Sequence, residues 1–471
     1  MTDIPVTIKE AATALRERRI SAVELTREML KRADRLDPLL GVFITRMDET
    51  ALAAAAAADA DFARGIDRGP LQGIPFGLKD ILSTDDAPTT AQSLVMDPEW
   101  SAQGDGPAVR RLRAAGAVII GKNTTHEFAC GAPDHDKPFP IPRNPWNPEH
   151  HTGGSSAGTG GGIAAGLFLG GLGTDTGGSV RGPAAYCGIT GLKATFGRVP
   201  KSGCTQNGFS LDHIGPMARS AWDTAAILSV VAGYDASDVN AARWPVTDFT
   251  AGLDGNIKGM RIGVIREGFL DGVPETTRAR FEDAVAVLRE AGAEIREVRL
   301  PHYDKLVAAN FVNNTGEKAG IYLRRLRDRW DDWGKYTRVG NASFGLFLTP
   351  ADYIQALRWR RFAQKAVAEL LSECHVLLSI TAKDGAPRIA DMGYGSSLLE
   401  GATRTGIWSL VGLPTLAVPM GFSDKGLPLS FQITGRPFDE PTVFKVGDAY
   451  QRRTDWHLRL PPVLTQEPAA A

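Results

Sequence analysis

Arg110-Arg-Leu-Arg-Ala-Ala-Gly116, followed at once by Ala117-Val-Ile-Ile120, decides the fold class. The glycine ends a helical run, and four apolar residues then make a short strand. Upstream, Leu71-Gln-Gly-Ile-Pro-Phe-Gly-Leu-Lys-Asp80 reads as turn, strand and loop. Downstream, Arg261-Ile-Gly-Val-Ile265 reads as a strand, and Thr276 to Ala291 as a helix stopped by Gly292. Helices alternating with apolar strands predict an α/β protein with a largely buried sheet.

The flanks agree. Thr7-x-x-Glu10 and Ser21-x-x-Glu24 are capping boxes, so the first sixty residues read as helices. The alanine run Ala51 to Ala60 is a strong helix former. Pro133 to His151, rich in Pro and Asn, reads as an irregular loop, and Ile163-Ala-Ala-Gly-Leu-Phe-Leu169 as a buried helix. Residues 305–373 look mainly helical. Strands return at Val376–Ile380, Thr415–Val418 and Leu429–Ile433, and Glu467 to Ala471 reads as a frayed tail. No repeat occurs, and no linker forces a domain boundary.

The chain has 471 residues, with 53 Lys+Arg against 54 Asp+Glu and a net charge of −1. That balance argues against a basic nucleic-acid-binding face. Arg358, Arg360 and Arg361 read as a solvated helix face. Four scattered cysteines, Cys130, Cys187, Cys204 and Cys374, form no CxxC pair, so neither a zinc site nor a disulfide framework is expected. No apolar stretch of membrane-spanning length occurs, and the N-terminus lacks an apolar signal core. A reduced, cytoplasmic protein is the expectation.

Three segments carry chemistry. In Thr152-Gly-Gly-Ser-Ser-Ala-Gly-Thr-Gly-Gly-Gly162, the phosphate-cradle reading fails for want of a terminal Gly-Lys-Ser/Thr. A nucleophile elbow centred on Ser156 fails because a proline-rich segment precedes it, not a strand. In Leu172-Gly-Thr-Asp-Thr-Gly-Gly-Ser179, two glycines before a serine permit a tight turn with converging N–H groups, as an oxyanion hole requires. Lys79 lies in the apolar stretch Ile74-Pro-Phe-Gly-Leu-Lys79. A surface lysine at a strand end is one reading; the other is a buried lysine that sheds its proton readily and serves as a base.

Together these segments resemble the amidase signature family. The resemblance rests on Gly153-Gly-Ser-Ser156, Gly173-Thr-Asp-Thr-Gly-Gly-Ser-Val-Arg181, Pro183-Ala-Ala-Tyr-Cys-Gly188, Gly191-Leu-Lys193 and Gly197-Arg-Val199. Gly73-Ile-Pro-Phe-Gly-Leu-Lys-Asp80, Gly412-Leu-Pro414 and the block from Gly426 to Pro437 extend it over most of the chain. It implies one domain over 1–471, built on a large mixed β-sheet covered by helices on both sides. N-terminal helices would occupy 1–65, the signature core 66–220, and a helical insertion shaping the substrate pocket 300–375.

The resemblance also implies the site. Lys79 would be the base, Ser155 the relay behind a cis Gly154–Ser155 peptide, and Ser179 the acyl-accepting nucleophile. Backbone N–H groups of Thr176, Gly177, Gly178 and Ser179 would form the oxyanion hole. The implied reaction is cleavage of an amide-type carbon–nitrogen bond, with no cofactor and no metal. Asp175, Arg181 and Lys193 are expected to hold the loop, Ser156 to make a local hydrogen bond, and Cys187 to be core. His126, His150, His151 and His213 are candidates for substrate contact, and Trp408, Phe128 and Phe209 for an acyl pocket. Departures from the family pattern are Ala157, Thr159-Gly-Gly-Gly162, Ala194, Ser379-Ile-Thr381 and Trp408-Ser-Leu410. They bear on specificity.

The expected partner is a small-molecule amide or carbamate, with no nucleic acid, no membrane and only a possible homodimer. Rival readings are a carbamate or ester hydrolase with the same triad, the glutaminase subunit of a tRNA-dependent amidotransferase, and a silent binding protein. Glutaminase subunits of that kind carry an acid shortly before the Gly-Leu-Pro block. Gly401-Ala-Thr-Arg-Thr-Gly-Ile407 has none, and Ala402 stands at the expected place.

Overall fold

The structure is a computed structural model describing residues 4–340, 342–392 and 403–464. Both predicted capping boxes form. Thr7 and Ser21 each accept from the backbone three residues on, opening α1 (Ile8–Arg16) and α2 (Ala22–Leu40). The alanine run lies within α3 (Asp48–Ala63). Between α2 and α3 a short strand, β1 (Phe43–Arg46), departs from the all-helical reading of this region. It pairs along β3 (Val118–Asn123), and four residues are too few for a periodic signal.

The centre is an eleven-stranded mixed sheet. Its further strands are β2 (Pro75–Lys79), β6 (Gly170–Asp175), β7 (Thr190–Lys193), β8 (His213–Ala218), β9 (Arg261–Ile265), β10 (Glu294–Val298), β11 (Val376–Ile380), β12 (Thr415–Phe422) and β13 (Pro428–Thr434). The order is β1-β3-β2-β6-β8-β7-β12-β13-β11-β9-β10. Pairing is parallel for β3-β2-β6 and for β11-β9-β10, and antiparallel through the middle. Every residue of β2, β3, β6, β7, β8, β11 and β13 is buried, so both sheet faces are covered. The last strand, β10, keeps Glu294, Arg296 and Glu297 exposed, which guards an open edge against pairing.

Around the sheet lie α4 (Pro98–Ser101), α5 (Pro107–Ala114), α6 (Ala157–Ala164), α7 (Arg181–Cys187), α8 (Ala221–Val231) and α9 (Glu275–Glu290). They are followed by α10 (Tyr303–Asp328), α11 (Lys335–Gly340), α12 (Pro350–Glu373), α13 (Gly406–Val411) and α14 (Glu440–Gln451). The α/β reading therefore holds, as a large mixed sheet surrounded by helices.

Three local expectations change. The Pro/Asn-rich segment contains a small ladder, β4 (Arg143–Asn144) with β5 (Asn147–His151), pinned when Asn144 Nδ2 donates to the His151 and Tyr186 carbonyls. The buried helix is not Ile163–Leu169 but the glycine-rich run before it, α6. Side chains there have no room: a Cβ on Gly158 or Gly162 would run into the Val42 carbonyl or the Phe168 ring. Close packing overrides the weak helix propensity of glycine. Finally, Arg360 does not share the solvated face of Arg358 and Arg361; its guanidinium turns inward to donate to Ser210 Oγ at 2.6 Å. The tail from Glu467 lies outside the described residues.

Candidate active site

Lys79 is the last residue of β2, and β6 runs parallel beside it. Its side chain is fully buried, and Nζ donates to Ser155 Oγ and to Thr174 Oγ1, each at 2.7 Å. Both partners are neutral hydroxyls. Burial brings its pKa down to about 7, while Cys204, Asp175 and Asp212 act the other way. The ammonium is therefore poised to lose its proton near neutrality, whereas a surface lysine would not be.

The segment carrying Ser155 is held on several sides. The Gly154–Ser155 peptide is cis. A Cβ on Gly154 would collide with the His126 ring, so only glycine fits there. The Ser155 carbonyl accepts from His126 N, and Ser156 N donates to the Ser179 carbonyl at 3.2 Å. Ser156 Oγ accepts from Thr174 N at 3.1 Å and donates to Thr174 O at 3.2 Å, a local role as expected. Ser155 Oγ thus shares Lys79 Nζ with Thr174 of β6, the strand that leads to Ser179.

After Asp175 the chain leaves β6, turns through Thr176–Ser179 and enters α7. Gly178 has φ +137, and a Cβ there would run into Thr405. Gly177 and Ser179 are the partly open residues of this otherwise buried segment. Oxygens of the turn are drawn away from its mouth: Thr405 Oγ1 donates to Gly177 O at 2.6 Å, and Thr176 Oγ1 donates to Asp212 at 2.6 Å. Among the described residues, the N–H groups of Gly177, Gly178 and Ser179 meet no protein acceptor. They are therefore available to a developing oxyanion.

Beneath the turn lies a buried ion pair. Asp175 accepts from Arg181 Nε and NH2, each at 3.0 Å, and from Val180 N at 3.2 Å. Arg181 NH1 reaches Thr405 O, and NH2 reaches Ser409 Oγ. Burial alone would raise the Asp175 pKa, but the guanidinium holds it well below the carboxylate range. Lys193 lies in the same interior, where burial and Arg181 drive its pKa far down; its Nζ faces His213 Nε2 at 3.3 Å.

The remaining candidates separate. His126 and His151 face each other, Nε2 to Nε2 at 3.4 Å, and burial lowers both pKa values, His151 to about 4. They pack on the Ser155 segment. His150 Nδ1 meets the Ala386 carbonyl, and Cys187 is buried with Sγ on Thr152 O. Trp408 stacks on Phe269 in the core, Phe128 packs with Tyr322 and Trp333, and Phe209 is exposed. Ala402 lies outside the described residues. A cavity of about 1020 Å³ is walled by Phe128, Lys201, Cys204, Tyr322 and Arg325; neither Lys79, Ser155 nor the 176–179 turn lines it, and its link to the turn is indirect, through Asp212, which accepts from Thr176 Oγ1. Sequence reading missed Thr174 and Thr405, the two hydroxyls that fix Lys79 and the turn. Thr174 lies inside the signature block, so its spacing from Ser179 was visible although its role was not.

Comparison with known proteins identifies the family. The profile of the family described as Amidase matches residues 24–444. The A-type subunit of glutamyl-tRNA(Gln) amidotransferase from Chloroflexus aggregans is 39% identical over 482 residues, covering 97% of this chain and 98% of that one. A solved chain from a vestigial protein complex, which reveals the evolutionary origins of an s-triazine catabolic enzyme, superposes with TM-score 0.88 at 30% identity. It covers 95% of this chain and 98% of its own. Peptide amidase from Stenotrophomonas maltophilia superposes with TM-score 0.84 at 29% identity over 98% of this chain and 99% of its own.

These relatives correct one expectation. A small-molecule substrate alone, with at most a homodimer, does not fit a chain whose relatives include A-type subunits of a glutamyl-tRNA(Gln) amidotransferase, which points to protein partners. The expectation failed because neither composition nor a catalytic motif reports on the surfaces that meet other subunits. Among the described residues no helix is long and apolar enough to cross a membrane. The relatives also favour the glutaminase-subunit reading over a free-standing amidase. With the matched profile, the 39% identity over nearly its whole length and the shared fold, the chain is an enzyme of the amidase signature family.

Proposed function

We propose that this chain hydrolyses a carboxamide through an acyl-enzyme on Ser179, and that it does so as the amidase subunit of an amidotransferase, with glutamine as ammonia donor. The observation that carries the chemistry is the fully buried Lys79 ammonium, 2.7 Å from Ser155 Oγ and, among the described residues, bonded only to hydroxyls. Neutral Lys79 takes the proton of Ser155, and Ser155 takes that of Ser179. Ser179 Oγ bonds to the substrate carbonyl carbon, whose oxygen becomes an anion over the N–H groups of Thr176 to Ser179. The carbon–nitrogen bond breaks as the relay returns a proton to nitrogen, so ammonia leaves. Water, deprotonated along the same path, then cleaves the ester and frees the acid. Asp175 and Arg181 hold the turn and take no proton. An aminoacyl-tRNA acceptor would place this work in the cytoplasm.

The extended similarity to the A-type amidotransferase subunits supports the assembly. A second reading, an amidase acting alone, is favoured by the acid-free segment Gly401-Ala-Thr-Arg-Thr-Gly-Ile407 and by the likeness to peptide amidase. One experiment separates them. Ammonia release from glutamine is measured with the chain alone and with co-expressed amidotransferase subunits. Stimulation by those subunits, abolished by Ser179→Ala, is the expected result. Glutamine turnover that is absent in both conditions, with brisk cleavage of simple amides, favours the lone amidase. Full activity in Ser179→Ala overturns the acyl-enzyme.

A further inference from the structure

The inner face of α10 has an unusual composition. Residues at helical spacing on its buried side begin and end apolar, with Leu306 and Ala309 at one end and Tyr322 and Leu326 at the other. Between them the same side carries Asn310, Asn313, Asn314, Glu317 and Lys318. Polar groups are costly to bury against a core unless something bonds them. Glu317 is satisfied: it accepts from Ser210 N and Tyr353 OH. Asn313 Nδ2 donates back to Ala309 O at 2.8 Å. The carbonyl oxygens of Asn310 and Asn313, however, are buried with no partner among the described residues.

Asn310 and Asn314 lie one helical turn apart and overlook the nucleophile turn. Asn314 Nδ2 is 3.5 Å from where a Cβ on Gly177 would stand, on the partly open side of that turn. Asn310 Nδ2 is 2.5 Å from the corresponding point on Gly406, the residue after Thr405, whose hydroxyl holds Gly177 O. Two side-chain amides therefore border the place where a substrate carbonyl would sit over residues 176–179. Asn310 also carries an acceptor, Oδ1, that is buried with no partner among the described residues.

We propose that Asn310 and Asn314 form the acyl-side specificity subsite, in which the Asn310 carbonyl oxygen accepts a hydrogen bond from an amine on the acyl part of the substrate. The proposal rests on Ser179 being the nucleophile, since that places the acyl group against Gly177. Its chemistry selects amides of amino acids over plain carboxamides. A site built to bond a donor rejects the analogue lacking it, because its own buried acceptor then stays unpaired. Asn314, with donors toward the turn, serves to orient the same group.

Binding tests this independently of turnover. Dissociation constants are measured on Ser179→Ala protein at pH 7 for two matched pairs: glutamine with its des-amino analogue 4-carbamoylbutanoate, and leucinamide with 4-methylpentanamide. In at least one pair the amine-bearing member should bind more tightly. Asn310→Leu should weaken that member by about tenfold or more and leave its partner unchanged, the scale of one lost charge-assisted hydrogen bond. Asn310→Asp, which keeps an acceptor, should retain the preference. Unchanged binding of the des-amino member reports that the variant is folded. Equal losses for both members, or no preference in either pair, overturn the subsite. Turnover of the unmutated protein is read separately: its absence sinks the hydrolase reading while the binding ratio still judges Asn310.

Discussion

Lys79 and Lys122 occupy neighbouring strands of one sheet, β2 and β3, with Leu78 opposite Lys122 and Lys79 opposite Asn123. Both are fully buried, and burial lowers both pKa values. Their partners differ. Lys122 faces the Asp80 carboxylate at 3.0 Å and donates to Thr89 Oγ1 at 2.8 Å, whereas among the described residues Lys79 has only the hydroxyls of Ser155 and Thr174. A carboxylate offsets part of the cost of burying an ammonium and keeps the proton on. A hydroxyl offsets much less, so the proton is loosely held. The same side chain on adjacent strands is structural in one place and fit for a base in the other, and the neighbour makes the difference.

The widest gap between the two should appear on removal. Lys79→Met should lower kcat/KM for amide hydrolysis by about 10³-fold or more, the range for loss of a general base within a cooperative nucleophile unit. Melting should change little, because removing this lysine strands no charge. The unmutated enzyme has a matching pH dependence. Neutral Lys79 is the active form, so activity rises as pH climbs through about 7 and falls about tenfold per unit below it. In Lys79→Met that acid limb should vanish from the residual rate. A limb that persists in the variant would assign it to another group and break the contrast.

Lys122→Met should do the reverse. It strands Asp80, whose carboxylate is buried and otherwise bonded to Thr90 N and Thr90 Oγ1. Breaking a buried pair from one side costs roughly 3–5 kcal/mol, read by chemical denaturation. Asp80 already has its pKa raised by burial, opposed by Lys122. Without the lysine the carboxylate takes up a proton more readily, so the deficit should shrink as pH falls. The pH–rate profile of the folded protein should keep its limb near 7. A moved limb would mean that the two lysines act as one unit.

How much of this contrast was readable beforehand depends on what each feature needs. In its own segment Lys79 read equally as a surface lysine at a strand end; the ordered signature blocks carrying Ser155 and Ser179 are what marked it as a base. The helices with capping boxes and the apolar strands were readable because their signals are local. Lys122 was not singled out, since Gly121-Lys-Asn123 looks like an ordinary strand end and its partner Asp80 comes from the loop after another strand. Strands β6 and β8 escaped notice for a related reason. Three glycines in β6 and Pro216 in β8 erase the alternation and propensity that mark a strand, and both are held by neighbours on either side. The polar stripe on α10 was hidden in the same way: helical spacing told where the helix ran, but its inward face is decided by the elements packed against it, α12, the turn Ala342–Phe347 and α13.

The smallest expected effect is the sharpest test of the comparison. Replacing both members of the structural pair, Asp80→Asn with Lys122→Met, removes two charges and strands neither. Exchanging a buried ion pair for neutral groups of similar volume is often close to neutral in stability. The double variant should therefore recover most of the loss seen in Lys122→Met, to within about 1 kcal/mol of the parent. The asparagine that replaces Asp80 would still accept from Thr90 through its amide oxygen. No such rescue exists for Lys79, because its partners are not charged and its function is the proton itself. If the double variant is as unstable as Lys122→Met, the pair contributes geometry that neutral groups cannot replace. The distinction between a lysine kept for its charge and one kept for losing it would then fail on the structural side.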